Sequence, residues 1–171
     1  MKHSELLWRN KMKIIFLDID GVIKEDKGGA PFLDDSLSLL KEVVDKTGAV
    51  IVMSSTWKTK YKNFVENGYK TDIEDIQKLY DVLTKHGLSI YGGTPLYRIE
   101  KTVRRPTEIK DYLCNAENVE SFCIIDDRDE FEWDELTDNL VLTYLGRDEN
   151  GSKIAHFTAE HAEKAIKLLT E

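Results

Sequence analysis

The sequence KIIFLD at residues 13–18 decides the fold of this chain. Four apolar residues precede the acid, as expected of a strand that is buried on both faces of a sheet. A helix is predicted over residues 36–46, and a second apolar strand, AVIVM, follows over residues 49–53. Gly48 stands between them, where it suits the end of a helix. This order indicates two neighbouring parallel strands joined by a helix.

The same alternation continues toward the C-terminus. Thr71 and Glu74 have the spacing of a capping box, which predicts a helix start at Thr71. Gly92 and Gly93 are expected to end the third strand. The sequence therefore predicts an α/β fold of three layers, Rossmann-like, with a mostly parallel five-stranded sheet. Further strands are predicted over residues 88–91, 121–125 and 140–145, and further helices over residues 71–86, 106–114 and 158–169.

Length and composition indicate one globular domain. The chain has 171 residues, of which 41% are hydrophobic and 33% charged, a balance typical of a folded domain. We expect a single domain over residues 1–171, with residues 1–12 as an N-terminal extension and residues 22–35 as a flap. The segments between the predicted elements are too short for a full cap domain.

Composition also limits the classes of partner. The net charge of −8 means that electrostatics alone do not favour a nucleic acid partner. No apolar run approaches the roughly 20 residues that span a bilayer, and no secretory signal is recognisable. We therefore expect a cytoplasmic protein without a membrane or obligate protein partner. Two cysteines and four scattered histidines indicate neither a disulfide framework nor a zinc site.

Polar side chains follow three of the predicted strands. Asp18 and Asp20 come at the end of the first strand, and Ser54 and Ser55 follow the second. Asp126 and Asp127 follow the fourth. In a parallel sheet, ligands bind beyond the carboxyl ends of the strands, where these side chains are expected to meet. Arg105 comes just before the helix that leads to the fourth strand.

So many acids in one crevice require neutralisation. Like charges about 4 Å apart repel by roughly 4 kcal/mol at an effective dielectric of about 20. Oxygen ligands without cysteine or histidine select a hard cation, and a small site shared with a phosphate suits Mg²⁺ better than Ca²⁺. The predicted metal site comprises Asp18, Asp20, Asp126 and Asp127.

This set of groups suits chemistry at phosphorus. A carboxylate whose charge is screened by a metal ion can attack phosphorus, which is the role expected of Asp18. Asp20 can protonate the leaving oxygen and then deprotonate water. Ser54 and Arg105 can hold the phosphoryl oxygens. We therefore expect a magnesium-dependent phosphohydrolase, the alternatives being a non-enzymatic phospho-switch of the receiver type and a binding module on the same fold.

At these residues the chain resembles the haloacid dehalogenase-like (HAD) superfamily of phosphohydrolases. The segment FLDIDGV at residues 16–22 looks like its first motif, VIVMS at residues 50–54 like its second, and CIIDD at residues 123–127 like its fourth. A narrower similarity, carried by SSTW at residues 54–57 and RPTEI at residues 105–109, is to small HAD domains that include those of Swiss Army Knife RNA-repair proteins.

The resemblance implies a role for each residue. Asp18 would be the nucleophile and a metal ligand, and Asp20 the acid/base, with its backbone carbonyl also binding metal. Asp127 would be the first choice among the later acids as a metal ligand, with Asp126 beside it. Arg105 takes the place of the usual third-motif lysine, and Lys101 is the alternative. The residues expected to bind substrate are Ser54, Ser55, Lys58 and Arg105.

A site without a cap would be open. It would suit a phosphate at the end of a large molecule, such as a nucleic acid terminus or a phosphoprotein, or small phosphates that bind weakly. Trp57, Tyr61 and Phe64 follow the second motif, where an aromatic ring could stack on a base or pack into the core.

Overall fold

The computed structural model describes residues 11–99 and 102–171. The predicted N-terminal extension lies almost entirely outside this range. Within these residues, short hairpins and one 3-10 helix accompany a central sheet and five α-helices. The elements in chain order are β1 (Met12–Leu17), α1 (Asp34–Thr47), β2 (Val50–Met53), α2 (Lys58–Glu66), α3 (Glu74–Lys85), β3 (Ile90–Gly93), β4 (Arg98–Ile99), β5 (Thr102–Val103), α4 (Arg105–Asn115), β6 (Val119–Asp126), the 3-10 helix (Asp134–Asn139), β7 (Leu140–Leu142), β8 (Tyr144–Arg147), β9 (Lys153–Ala155) and α5 (Ala159–Thr170).

The sheet has five strands in the order β3-β2-β1-β6-β7, and every pair in it is parallel. The predicted α/β, Rossmann-like fold is therefore confirmed. The chain first moves from β1 to β2 and β3, and then returns to pair β6 with the other side of β1. This reversal opens a crevice between the carboxyl ends of β1 and β6, which is the place where such sheets bind ligands.

Strand β1 is covered on both faces, which explains its apolar sequence. Ile15 and Leu17 pack into one core with α1, α2, α3 and α5, whereas Ile14 and Phe16 pack into a second core with α4 and the 3-10 helix. All four side chains have no exposed surface. Alternate residues of a strand point to opposite faces, so this one strand joins the two cores into three layers.

The segments between these elements are short in the part of the chain described, and they form no separate cap domain. Residues 18–33 make a tight turn after β1 and then isolated bridges from Lys24 to Asp20 and Phe32. The start of the predicted flap is buried, while residues 25–29 are exposed. Within residues 11–99 and 102–171, no helix combines the length and apolarity that crossing a membrane requires.

Several local predictions were wrong. The capping box is absent, because α3 begins at Glu74 and the Thr71 hydroxyl accepts a hydrogen bond from the Ile73 N–H at 2.9 Å instead. The third strand continues through Gly93, since its pairing with β2 tolerates residues without side chains. The strand expected over residues 140–145 divides at Thr143, and β8 leaves the sheet to pair with β9. Helix α2 and the two hairpins were not predicted.

Helix α5 depends on a neutral histidine for its N-terminal cap. The Thr158 N–H donates to His161 Nδ1 at 3.1 Å, which requires that this nitrogen carry no proton. Burial, together with the neighbouring His156, lowers the pKa of His161 below its ordinary value of 6.5. The unfolded chain therefore binds this proton more readily than the folded chain does.

We predict that His161 makes the protein less stable as the pH falls below about 6.5. The stabilisation is fully present above the unfolded-state pKa and is lost as the pH drops through the lower folded-state pKa. Chemical unfolding at pH 7.5 and 5.5 should show a smaller loss for His161→Gln, whose amide oxygen accepts the same bond without titrating. An equal loss in both proteins would contradict this assignment.

Candidate active site

The structure brings three buried carboxylates together at the crevice between β1 and β6. Asp18 directly follows β1, Asp126 is the last residue of β6, and Asp127 follows it. One oxygen of each lies within 4.8 Å of the others. All three residues are at most 4% exposed. The parallel register of β1 and β6, in which Leu17 pairs with Ile125, places these residues side by side.

Arg105 bridges two of the three acids. It is the first residue of α4 and 4% exposed. Its Nη1 donates to Asp18 Oδ2 at 2.6 Å and to Asp126 Oδ2 at 2.5 Å, while its guanidinium lies 5.5 Å from the Phe131 ring centre. Burial alone would lower the pKa of Arg105, but the two carboxylates raise it. The alternative cation, Lys101, lies outside the described residues.

Asp126 and Asp127 differ in the hydrogen bonds that their carboxylate oxygens accept. Burial raises the pKa of Asp126 to about 7 against the opposing effect of Arg105, and its Oδ1 accepts the Arg128 N–H at 2.9 Å. Burial also raises the pKa of Asp127, while Lys153 opposes this shift. The Lys153 ammonium forms an ion pair with Asp127 Oδ2 at 2.9 Å. No well-aligned hydrogen bond from the described residues reaches either oxygen of Asp127.

The Asp127 carboxylate packs directly on the backbone of Gly21. Gly21 has a φ of +75°, and a Cβ placed there would lie 2.1 Å from Asp127 Oδ2. Thr143, the residue between β7 and β8, fixes the same turn. Its hydroxyl donates to the Gly21 carbonyl at 2.7 Å, and its N–H donates to the Asp126 carbonyl at 2.9 Å. Only glycine at position 21 allows Asp127 to reach the crevice.

The three carboxylates fit a divalent cation of the Mg²⁺ kind. The donor set is oxygen alone, and hard cations prefer such ligands. Three positive side chains of the described residues approach these carboxylates: Arg105 contacts Asp18 and Asp126, Lys153 lies 2.9 Å from Asp127 Oδ2, and Arg128 Nε lies 3.8 Å from Asp127 Oδ1. The Asp127 oxygens are buried and accept no well-aligned hydrogen bond from the described residues, an arrangement that is costly unless positive partners bind them. A cation bound to Asp18 and Asp127 would meet that need.

Asp20 lies apart from this cluster. Its side chain is 35% exposed, and the group of three carboxylates found in the described residues does not include it. The Trp57 Nε1–H donates to Asp20 Oδ2 at 2.8 Å, and the Lys24 ammonium donates to Asp20 Oδ1 at 3.3 Å. The expected metal role of Asp20 falls to its backbone carbonyl and stays a prediction.

Ser54 and Ser55 are both buried at the end of β2. The Ser54 N–H continues the sheet by donating to the Leu17 carbonyl at 2.9 Å. Its hydroxyl has no hydrogen-bond partner among the described residues, as expected of a group that binds a ligand oxygen. The Ser55 hydroxyl instead accepts the Trp57 N–H at 3.4 Å. The predicted substrate-binding roles of both serines remain predictions.

Lys58 belongs to a buried network. Its ammonium contacts Glu108 Oε2 at 2.5 Å, the Thr94 hydroxyl at 3.0 Å and the Ser54 carbonyl at 3.5 Å. Burial lowers the pKa of Lys58, while Glu108 opposes the shift. Three acceptors match the three N–H groups of a lysine. These contacts do not favour the substrate-binding role predicted for Lys58.

Sequence reasoning missed several residues around the site. Glu108 is fully buried one helical turn after Arg105, a spacing that places both on one face of α4 and could have been noticed. The hydrogen bond from Trp57 to Asp20 carried no sequence signal. Lys153 reaches Asp127 from the β8–β9 hairpin, which the strand prediction did not include.

Replacement of Gly21 by alanine should test the contact with Asp127. We expect Gly21→Ala to lower the free energy of unfolding by more than the roughly 1–2 kcal/mol that a left-handed backbone costs alanine, because Asp127 must also move. Gly48→Ala is the matched control, since Gly48 has a φ of +69° and no atom within 4 Å of its added Cβ. Urea unfolding gives both values, and equal losses would refute the steric argument.

Comparison with known proteins agrees with this geometry. No curated protein matches the chain. The family model described as the HAD domain in Swiss Army Knife RNA repair proteins matches residues 14–147. The match covers the carboxylate cluster and Arg105, and Lys153 lies beyond it. Because the model spans more than three quarters of the sequence, the chain belongs to the family of HAD domains found in Swiss Army Knife RNA repair proteins.

Proposed function

We propose that this chain is a Mg²⁺-dependent phosphatase that hydrolyses a phosphate monoester through an aspartyl-phosphate on Asp18. The observation that carries the proposal is the group of three buried carboxylates, Asp18, Asp126 and Asp127, bridged in part by Arg105 at the switch point of the sheet. Membership of a phosphohydrolase-type family supports the same reaction class.

The chain's own residues supply the steps. An Asp18 oxygen attacks phosphorus, the bond from phosphorus to the leaving oxygen breaks, and Asp20 gives its proton to that oxygen. Asp20 then takes a proton from water, whose oxygen attacks phosphorus and releases Asp18. Mg²⁺ held by Asp18, Asp127 and the Asp20 carbonyl would screen the negative charges of nucleophile and phosphate. Ser54 and Arg105 hold the remaining phosphoryl oxygens.

Arg105 also keeps the nucleophile in place. Its short bond to Asp18 Oδ2, together with the bond from the Ile19 N–H to Asp18 Oδ1 at 2.9 Å, fixes the plane of the carboxylate. A carboxylate that is oriented before substrate binds loses less freedom on the way to the transition state. Arginine keeps its positive charge throughout the ordinary pH range.

The short insertions support a phosphate at the end of a large molecule as substrate. Exposed residues 25–29 flank the turn after β1, and no separate domain in the described residues closes over it. We propose a nucleic acid end or a phosphoprotein as the natural substrate, with the protein acting in the cytoplasm. Turnover of 5′- and 3′-phosphorylated oligonucleotides and of phosphopeptides would compare these classes directly.

Hydrolysis of p-nitrophenyl phosphate with Mg²⁺, with and without EDTA, tests the reaction class. Many turnovers that EDTA abolishes support the phosphatase. One equivalent of product with a stable acyl-phosphate would support the receiver-like switch, and no product would support a binding module. Either of these two results would overturn the proposal.

We predict that Asp18→Asn lowers kcat by at least about 1000-fold, a loss typical of removing a nucleophile, while the protein remains folded. Asp45→Asn is the control, because Asp45 is an exposed acid on α1 whose partner is the neighbouring Lys41. Steady-state kinetics and circular dichroism measure the two properties. Retained turnover in Asp18→Asn would remove Asp18 from the nucleophile role.

We predict that Asp127→Asn raises the Mg²⁺ concentration for half-maximal activity by at least about tenfold. Removing a direct metal ligand should weaken Mg²⁺ binding at least as much as removing a group that only supports a ligand. Asp129→Asn removes a nearby exposed carboxylate and should leave that concentration unchanged. A Mg²⁺ titration of turnover in the three proteins makes the comparison. The same half-saturating concentration in Asp127→Asn and wild type would exclude Asp127 as a ligand.

A further inference from the structure

The proposed acid/base, Asp20, is held by donors from two different segments. Trp57 Nε1–H donates to Oδ2 at 2.8 Å, and the Lys24 ammonium donates to Oδ1 at 3.3 Å. We propose that Trp57 is a positioning residue that fixes the Asp20 carboxylate for proton transfer to the leaving oxygen. This inference rests on the phosphatase function proposed above and assigns a role to a residue outside its steps.

Asp20 needs such a support because its side chain is partly exposed. The side chain is 35% exposed, so water could solvate the carboxylate in several rotamers. An acid that must meet a leaving oxygen loses rate steeply with displacements of about 1 Å. A donor on each oxygen fixes the plane of the carboxylate.

Trp57 is itself held at a defined place. Its backbone N–H donates to the Ser55 hydroxyl at 3.4 Å, and its carbonyl accepts the Tyr61 N–H at 2.9 Å in the first turn of α2. The indole also packs edge-on against Phe32, with ring centres 6.2 Å apart. The backbone after β2 therefore aims the indole N–H at the turn after β1.

The Trp57 bond is the better defined of the two. The Lys24 ammonium is shared with the carbonyls of Glu25 at 3.4 Å and Lys27 at 3.1 Å. Lys24 therefore joins the exposed residues 25–29 to the turn after β1 as well as contacting Asp20. The indole has one N–H and one acceptor, at a shorter distance.

Trp57 acts through Asp20 and takes no part in the chemistry. An indole N–H does not give up its proton at ordinary pH, so the proton that reaches the leaving oxygen comes from Asp20 and is later replaced from water. The two donors to Asp20 remain in place through both steps. Loss of the indole N–H should therefore affect those reactions that depend on the acid.

Leaving-group dependence distinguishes positioning from a general structural defect. Phenyl phosphate needs a proton on its leaving oxygen, whereas 2,4-dinitrophenyl phosphate does not. The variant Trp57→Phe keeps an aromatic ring against Phe32. We expect its kcat/KM to fall about tenfold more with phenyl phosphate than with the dinitrophenyl ester. This difference is a part of the roughly 10²–10⁴-fold acceleration that acid catalysis supplies.

The matched control is Trp133→Phe. The Trp133 indole N–H donates at the same distance, 2.8 Å, but to the Arg128 carbonyl, so its loss should lower both rates by similar factors. Similar factors for both esters in Trp57→Phe would overturn the positioning role alone. Absence of turnover in the wild-type protein would instead overturn the proposed function and the role that rests on it.

A second measurement does not depend on turnover or on the folding of Trp57→Phe. In a ¹H–¹⁵N spectrum, the assigned indole signal of Trp57 should shift in Asp20→Ala, whereas that of Trp133 should stay in place. An unchanged Trp57 signal would show that the contact is not formed in solution, and it would overturn the proposal whatever the kinetics give.

Discussion

The structure depends on the compensation of negative charge where β1 meets β6. Asp18, Asp126 and Asp127 are buried side by side, an arrangement that electrostatic repulsion alone would force apart. The guanidinium of Arg105 touches two of them at once. Both hydrogen bonds come from one guanidinium nitrogen, Nη1, and the charge of that group is permanent. The third acid, Asp127, is approached by Lys153 and, at a greater distance, by Arg128.

Helix α4 is also anchored by a second buried ion pair. Glu108, one turn after Arg105, accepts the Lys58 ammonium at 2.5 Å and the Tyr97 N–H at 2.8 Å. This links the first turn of α2, the loop after β3 and the first turn of α4. Removing one member of such a pair leaves an uncompensated buried charge, typically at a cost of about 3–5 kcal/mol. The pair therefore helps to hold Arg105 against the acids.

A cleft of about 630 Å³ lies beside the site but belongs to another surface. It runs between α2 and the edge strand β3, and Lys58 and Thr94 are in its wall, but none of the three clustered carboxylates lines it. The three clustered carboxylates instead lie at the crevice between the carboxyl ends of β1 and β6. The groups of the proposed chemistry therefore do not line that cleft.

The sequence by itself determined which strands are buried, the α/β class and the acids at the strand ends. Apolar runs and the polar residues that end them are local properties of the chain. It also pointed to Arg105, from its place at the start of a helix. Only the tertiary structure decided that Lys58 pairs with Glu108, that Trp57 contacts Asp20 and that Lys153 reaches Asp127. Trp57 and Asp20 are 37 positions apart in the sequence, and Lys58 and Glu108 are 50 apart. Side-chain pairing over such separations depends on how the layers pack, and no local sequence pattern records it.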